Sequence, residues 1–519
     1  MSKQGFLYGT IILVGAGFIT KILGFVYRIA LSRIIGDEGM GLFQMVFPIL
    51  IFAVVITTAG IPVAISKLVS EAEARGEEDR IPAILIVSIF IVMFTSVIIA
   101  ISIYFGASKI AHVMLTDGRT IYTLLAITPV IPIIAISSIF RGYFQGRQNM
   151  SPYAIAQIIE QLVRIFTVIF LAQYLLPFGI AYAAAGAMVG MVVGEFVGMV
   201  YIYISYRRDE KYIPLPLFRR PKHLLRSIKE VLRVSVPVTL SRMIGSFSYA
   251  LEPIVVAHSL AIAGITTSVA TALYGRLEGM AMPLIFFPTF ITYALTVSLV
   301  PAISEAAAQN QTRLIEHRLQ QAIRLSLLIG APCTVFILIL AEPLSVLLYH
   351  KKEIAHMIYL IAPVSFIHYL QGPFASVLQG LDQANIAMRN SIIGAVLKIP
   401  LIFLLASRPS LGIDGVAIAV NIGIILVTGL HFFSILKFVP ITFHVKSISK
   451  LTFSVLTMGA VAYYLVNQEG TPLLQKVLLT SICSFGVYFI CLLLFSLVRK
   501  GDVNRIPYIG KWIAMVLPN

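Results

Sequence analysis

The stretch YGTIILVGAGFITKILGFVYRIALSRII, from Tyr8 to Ile35, decides how the rest of the chain is read. It is long and apolar enough to cross a bilayer, which takes about 20 helical residues at about 1.5 Å each. Yet it carries Lys21 near its middle and Arg28 farther along. A cation at the bilayer centre costs at least about 2.5 kcal/mol, so such a residue faces a protein-lined or watery interior rather than lipid. Two structural alternatives stand beside that reading. Arg28 is near enough to the helix end to snorkel, and either cation can pair with a buried carboxylate purely for structure.

Composition sets the class. At 58% hydrophobic and 12% charged residues over 519 positions, the chain is too apolar for a water-soluble enzyme of this length and is expected to be an all-α polytopic membrane protein. Its apolar runs are continuous rather than alternating, which excludes a β-barrel. A net charge of +16 would suggest nucleic acid in a soluble protein, but here the basic residues sit mostly between apolar runs and no nucleic-acid partner is implied. Cys333, Cys483 and Cys491 lie in apolar runs without metal-ligand spacing, so neither a metal site nor a disulfide framework is expected. The first apolar run is too long and too charged for a cleavable signal peptide.

Windows of about 20 apolar residues give about fourteen transmembrane helices. Six run over 8–35, 42–66, 81–105, 121–142, 153–176 and 180–206, forming an N-lobe at 1–206. A linker at 207–230 comes after them; with Arg233 just beyond it, this region holds nine Lys/Arg, and Leu224 to Leu232 reads as an amphipathic helix on anionic headgroups. The next six, 231–259, 279–303, 321–341, 354–380, 387–406 and 412–437, form a C-lobe at 231–437. Two more lie at 447–466 and 473–498, within a segment 445–498, before a tail at 499–519. With both termini cytoplasmic, about 26 of the 39 Lys/Arg fall on the cytoplasmic side and about seven on the other, which sets the orientation in the cell membrane. The remaining six are Lys21, Arg28, Arg164, Arg242, Arg276 and Lys398.

The two sets of six carry the same punctuation. Lys21-Ile22-Leu23-Gly24 matches Arg242-Met243-Ile244-Gly245, Phe47-Pro48 matches Phe287-Pro288, Ile61-Pro62 matches Val300-Pro301, and Gln145-Gly146 matches Gln379-Gly380; at that last offset Arg164 matches Lys398. Six is even, so the repeats are parallel about an axis normal to the membrane, the plan of an alternating-access carrier. Four cations in register are not readily produced by snorkelling, which favours a cavity-lining role for Lys21, Arg164, Arg242 and Lys398. Glu160, one turn before Arg164, is a local partner for it; Glu195 and Glu252 are further candidate charge partners or coupling acids.

The run from Gly60 to Glu71 (GIPVAISKLVSE), the opening Thr20-Lys21-Ile22-Leu23-Gly24-Phe25 and the six-plus-six-plus-two layout resemble the polysaccharide-export branch of the multidrug/oligosaccharidyl-lipid/polysaccharide (MOP) flippase superfamily, which includes sporulation proteins and lipid II flippases. The likeness covers nearly the whole chain. It implies a carrier that moves a polyprenyl-pyrophosphate-linked oligosaccharide, a peptidoglycan precursor, to the outer leaflet, with a cationic central cavity for the pyrophosphate and a groove at the last two helices for the lipid tail. Lys21 stands where the family's first-helix cation stands. Arg28 lies one residue past the second position, a rotation of about 100° on a helix. The family's second-helix cation has no counterpart between Leu42 and Ser66, so either Arg164 and Lys398 supply it or the head group is held differently.

Lys and Arg are the side chains that bind a dense phosphoryl charge, and amides such as Gln44, Gln145, Gln157, Gln161 and Asn421 are candidate sugar contacts, though amides also bridge membrane helices. A proton- or sodium-coupled organic-cation antiporter would call for acidic, aromatic-lined spans; a membrane enzyme of wall assembly would need acids or a His in a substantial outer loop; a scaffold for cell-wall synthases would tolerate charge reversal at Lys21 or Arg242. The Gly-rich run Gly186 to Gly198 lacks a Lys-Ser/Thr signature and reads as close helix packing. No cofactor is expected. An ion gradient in H+ or Na+, the membrane potential, or consumption of product would drive transport.

Overall fold

A computed structural model of the chain describes residues 3–58, 60–209, 224–440 and 445–497. These form helices α1 (Lys3–Thr58), α2 (Ile61–Ala74), α3 (Ile81–Lys109), α4 (Thr120–Ile127), α5 (Val130–Gly146), α6 (Ser151–Leu175), α7 (Ile180–Arg207), α8 (Leu224–Ile262) and α9 (Thr267–Tyr274). After a π-helical turn at Gly275–Ala281 come α10 (Met282–Ile285), α11 (Thr289–Ala308), α12 (Thr312–Ile339), α13 (Ala341–Tyr349), α14 (Ile354–Gly380), α15 (Ala384–Ala406), α16 (Ile413–Ile435), α17 (Val445–Val466) and α18 (Leu473–Leu494). The basic linker from 210 to 223 and the tail 499–519 lie outside the described residues.

Among the described residues, 11 helical stretches are long and apolar enough to cross a membrane. The difference from about fourteen has three local causes. The first stretch, Gly15–Ala74, runs for 60 residues. That is about 90 Å of helix against about 30 Å of hydrocarbon, so it holds two crossings. They meet at Gly36, whose φ of 67° only glycine adopts without strain. The second cause is α8, too rich in Arg, Ser and Glu to count by hydropathy. The third is the eighth crossing, split by the π turn and by Pro288. The 39 residues of α8 include Leu224 to Leu232 without a break, so the segment read as a surface helix forms the first turns of a longer one. Its Glu230 accepts a 2.7 Å hydrogen bond from Arg80.

Backbone packing gathers the chain into two units, one of 1–280 with 395–419 and one of 281–394 with 420–519. In the first, α1 lies against α6, α7, α8 and α9, and α2 and α3 pack on α5 and α8 around Ile65, Ile84, Ile139, Phe144 and Val231. α7 packs on α6 along most of its length. A Cβ on Gly194 would stand 2.8 Å from that of Arg164 and one on Gly198 3.0 Å from that of Glu160, so glycines at this four-residue spacing bring α7 onto the charged face of α6. In the second unit α11, α12 and α14 enclose Ile303, Leu319, Phe374 and Val377, and α17 and α18 pack on α12 through Leu328, Met458 and Tyr488. Outward-facing apolar side chains such as Phe94, Phe105, Phe166 and Leu494 are more than two-thirds exposed, as suits helices whose solvent is lipid.

Candidate functional site

Of the charge groups in the first unit, three involve residues singled out from the sequence or the joints beside them. The first joins α5, α6 and α7. The Arg164 guanidinium donates to Glu160 one turn earlier, to Glu195 Oε2 at 3.4 Å and to Gln161 Oε1 at 3.3 Å. Arg141 reaches the same two acids from α5, at 3.1 Å to Glu160 and 2.7 Å to Glu195, with its guanidinium 5.5 Å over the Tyr153 ring. Glu160 and Glu195 are buried, so two cations and two carboxylates neutralise one another where water cannot.

The second group joins α1, α8, the π turn and α15. Lys398 Nζ donates to Glu252 Oε2 at 2.6 Å, and the carboxylate is 5% exposed. A second acid, Glu278, feels the charges of Glu252, Lys398 and Arg28, and the phenols of Tyr249 and Tyr274 lie in the field of both acids. The π turn sets Glu278 here. Its backbone carbonyl accepts a 2.9 Å hydrogen bond from Gln44 Nε2 of α1, and Gly279 packs so near Met40 that a Cβ would stand 3.0 Å from it. An inserted residue in a helix rotates the residues after it about the axis, and turns of this kind recur where function needs it.

The third group lies at the ends of helices. Asp37, just past the Gly36 kink, accepts from Arg276 Nε at 2.6 Å. Arg119 bonds Glu38 at 2.6 Å and Asp117 through both Nε and NH2, and Thr271 donates to Asp117 at 2.7 Å. Burial pushes the Asp117 carboxyl upward, but the hydrogen bonds from Arg119 and Thr271 outweigh it and hold the group below its ordinary value. Arg119 is raised in return, chiefly by its hydrogen bond to Asp117. Gly41 and Gly275 allow this closeness, since a Cβ on either would fall about 2 Å from the carbonyl oxygen of Thr271 or Asp37.

The residues singled out from the sequence divide accordingly. Arg164, Glu160, Glu195 and Gln161 fall in the first group; Arg28, Glu252, Lys398 and Gln44 in the second. Lys21 on α1 and Arg242 on α8 have exposed side chains. Gln145 is exposed and Gln157 half-buried, and Asn421 donates to the Leu360 carbonyl at 2.8 Å, bridging α16 to α14 in the second unit. Sequence reasoning missed Arg141, which it counted with a cytoplasmic joint, and Glu278, which stands two residues past a cation already noticed. That proximity was the available signal. The partners of Arg276 were hidden in joints. Among the described residues no three of His, Cys, Asp and Glu gather to hold a metal.

Comparison with known proteins places this geometry in context. Residues 6–307 match the family model described as polysaccharide biosynthesis protein, and residues 237–404 match the MatE model. Stage V sporulation protein B of Bacillus subtilis (strain 168) is 46% identical over 523 residues, 99% of this chain and 100% of that protein. The lipid II flippase MurJ of the same organism is 25% identical over 444 residues, 81% of this chain and 80% of that protein. Among solved structures, the lipid II flippase MurJ in an inward closed conformation superimposes with a TM-score of 0.72 at 17% identity, covering 94% of this chain and all of that one.

Proposed function

This chain belongs to the polysaccharide biosynthesis protein family, within the MOP superfamily, and we propose that it is a flippase carrying a polyprenyl-pyrophosphate-linked oligosaccharide across the cytoplasmic membrane. It is a multi-pass membrane carrier rather than an enzyme. The cargo we assign is a peptidoglycan precursor of the lipid II kind, used for spore cortex, because the relatives that match it over most of their length are named for sporulation and for lipid II. The observation that carries the reading is the set of cations within the predicted membrane crossings, Lys21 and Arg28 on α1, Arg242 on α8 and Lys398 on α15. A pyrophosphate is a compact anion, and ammonium and guanidinium groups bind it as point charge and fork. Arg164 shares two carboxylates with Arg141, so its part is to hold α5, α6 and α7 together, with Glu160 and Glu195 as its charge partners.

The lobes at 1–206 and 231–437 would alternate access, both termini being cytoplasmic, while 445–498 receives the lipid tail. Gln44 and Gln161 are the amides that contact the charge groups, and with them Gln157, Asn421 and Gln145 are the candidate sugar contacts, although Asn421 bridges α16 to α14 and Gln145 lies exposed near a helix end. The MatE match over residues 237–404 favours a second reading, a cation antiporter, which the basic character of α1 and α8 opposes.

The test is binding of a purified polyprenyl-pyrophosphoryl glycopeptide to the solubilised protein, wild type against Lys21→Glu and Arg242→Glu, across a salt series. The expected result is salt-sensitive wild-type binding that weakens at least about tenfold in each folded variant, the equivalent of about 1.4 kcal/mol. Equal affinity in all three proteins, or no wild-type binding, overturns the reading.

A further inference from the structure

The second charge group holds two cations and two carboxylates, but the four are not held alike. Glu252 is bonded to Lys398 at 2.6 Å. Glu278 is half-buried, and among the described residues no hydrogen bond or ion pair reaches its carboxylate; Lys398 and Arg28 act on it only through space, against the like charge of Glu252. The other groups that face it do not compensate it. Tyr249 and Tyr274 are phenols, neutral near pH 7. Arg276, two residues away, is engaged with Asp37.

A pyrophosphate diester carries two fixed negative charges. Placed against Arg28 and Lys398, it takes from Glu278 the field that balances it, and three like charges then share one poorly hydrated site. We propose that this group binds the pyrophosphate of the cargo together with one proton from water, and that Glu278 is the acid that takes it. The carboxyl O–H forms as an O–H or N–H bond of hydronium or a buffer acid breaks, the donor keeping the electron pair; nothing is oxidised or reduced. Glu252 keeps its charge because Lys398 lies at bonding distance. The π turn fits this role, since it fixes the Glu278 backbone against α1 through Gln44 and engages the carbonyl rather than the carboxylate. Cargo binding is thereby linked to proton concentration, and release on the far side returns the proton there. This inference rests on the flippase reading.

The experiment is calorimetric titration of a polyprenyl-pyrophosphoryl N-acetylglucosamine, which has no group titrating between about pH 6 and 8, into the full chain in lipid nanodiscs, in buffers of different ionisation heat. Wild type is expected to take up protons on binding, rising towards one per ligand as pH rises and more of the unliganded Glu278 is ionised. Its affinity should therefore fall as pH rises, by up to about tenfold per pH unit. Glu278→Gln, whose amide imitates the protonated acid, should bind without uptake and with a flat pH profile; Glu278→Asp should keep both. An infrared difference spectrum of wild type should gain a protonated-carboxyl band on binding, a readout that needs no variant. Wild-type binding without proton uptake, or uptake that persists in Glu278→Gln, overturns the proton linkage alone. Absence of wild-type binding overturns the flippase reading and the linkage with it.

Discussion

Arg164 and Lys398 match when the first six predicted crossings are aligned with the next six, yet the structure treats them differently. Arg164 shares two buried acids with a second guanidinium, so every charge in its group has at least two opposite neighbours at bonding distance. Lys398 has one bonded partner; Glu278 acts on it only through space, and Arg28 acts through space on Glu278. The first is a closed staple between helices; the second can exchange a countercharge for a ligand without leaving an orphan. A repeat preserves where a cation stands. Its surroundings decide whether it can bind anything.

The largest effect should come from opening the staple. Glu195→Gln leaves Arg141 and Arg164 with one carboxylate between them, and breaking a buried ionic group in this way costs about 3–5 kcal/mol. The expected outcome is a large fall in the thermal unfolding midpoint in detergent, whereas Glu278→Gln leaves the midpoint near wild type. Equal losses in the two variants would erase the distinction between the groups.

Much of the helical plan was legible in the sequence because membrane crossings are written in long apolar runs. The helix from Ile354 to Gly380 is bounded as hydropathy places it. The same signal misplaces ends where the backbone bends without a polar joint. Asp37 and Glu38 read as a loop, but α1 turns at Gly36 and continues as helix through them. The candidate cations were visible because charges in apolar runs are costly, and so was Glu160, one turn from Arg164. Glu252 was visible only as an acid: its partner on α15 lies 146 positions away, a distance no periodicity spans. Glu278 was hidden for another reason. A π turn changes which face a residue occupies, and no pattern of 3.6 residues anticipates it.

A smaller effect separates structure from binding within the second group. Lys398→Met strands the Glu252 carboxylate, 5% exposed, and should cost about 3 kcal/mol. Adding Glu252→Gln should recover most of that loss, because removing both members of a buried pair is nearly neutral. Affinity for a polyprenyl-pyrophosphoryl glycopeptide should stay low in the double variant, for the cation is still missing. Thermal unfolding and binding measured on the same preparations check this; recovery of both together would make Lys398 a structural cation like Arg164 and return the binding role to α1 and α8.

The smallest effect concerns the third group, which is closed like the first but stands at helix ends, where pH can reach it. Asp117 accepts from the Arg119 backbone, its side chain and Thr271, and Asp117→Asn should cost about 1.5–3 kcal/mol, the range for hydrogen bonds to a charged group. Its folded pKa lies below its ordinary value of about 3.9, so between the two the unfolded chain binds more protons than the folded one. The stabilisation is therefore complete above the ordinary carboxylate range and is lost as pH falls through the lowered value. Unfolding midpoints of wild type and Asp117→Asn should stand apart by a constant amount from about pH 7 down to about pH 5 and then converge in acid, because the variant has nothing to protonate there. Curves that remain parallel to the lowest pH would mean that the amide keeps the bonds of the carboxylate, and that Arg119 is held by Glu38 alone.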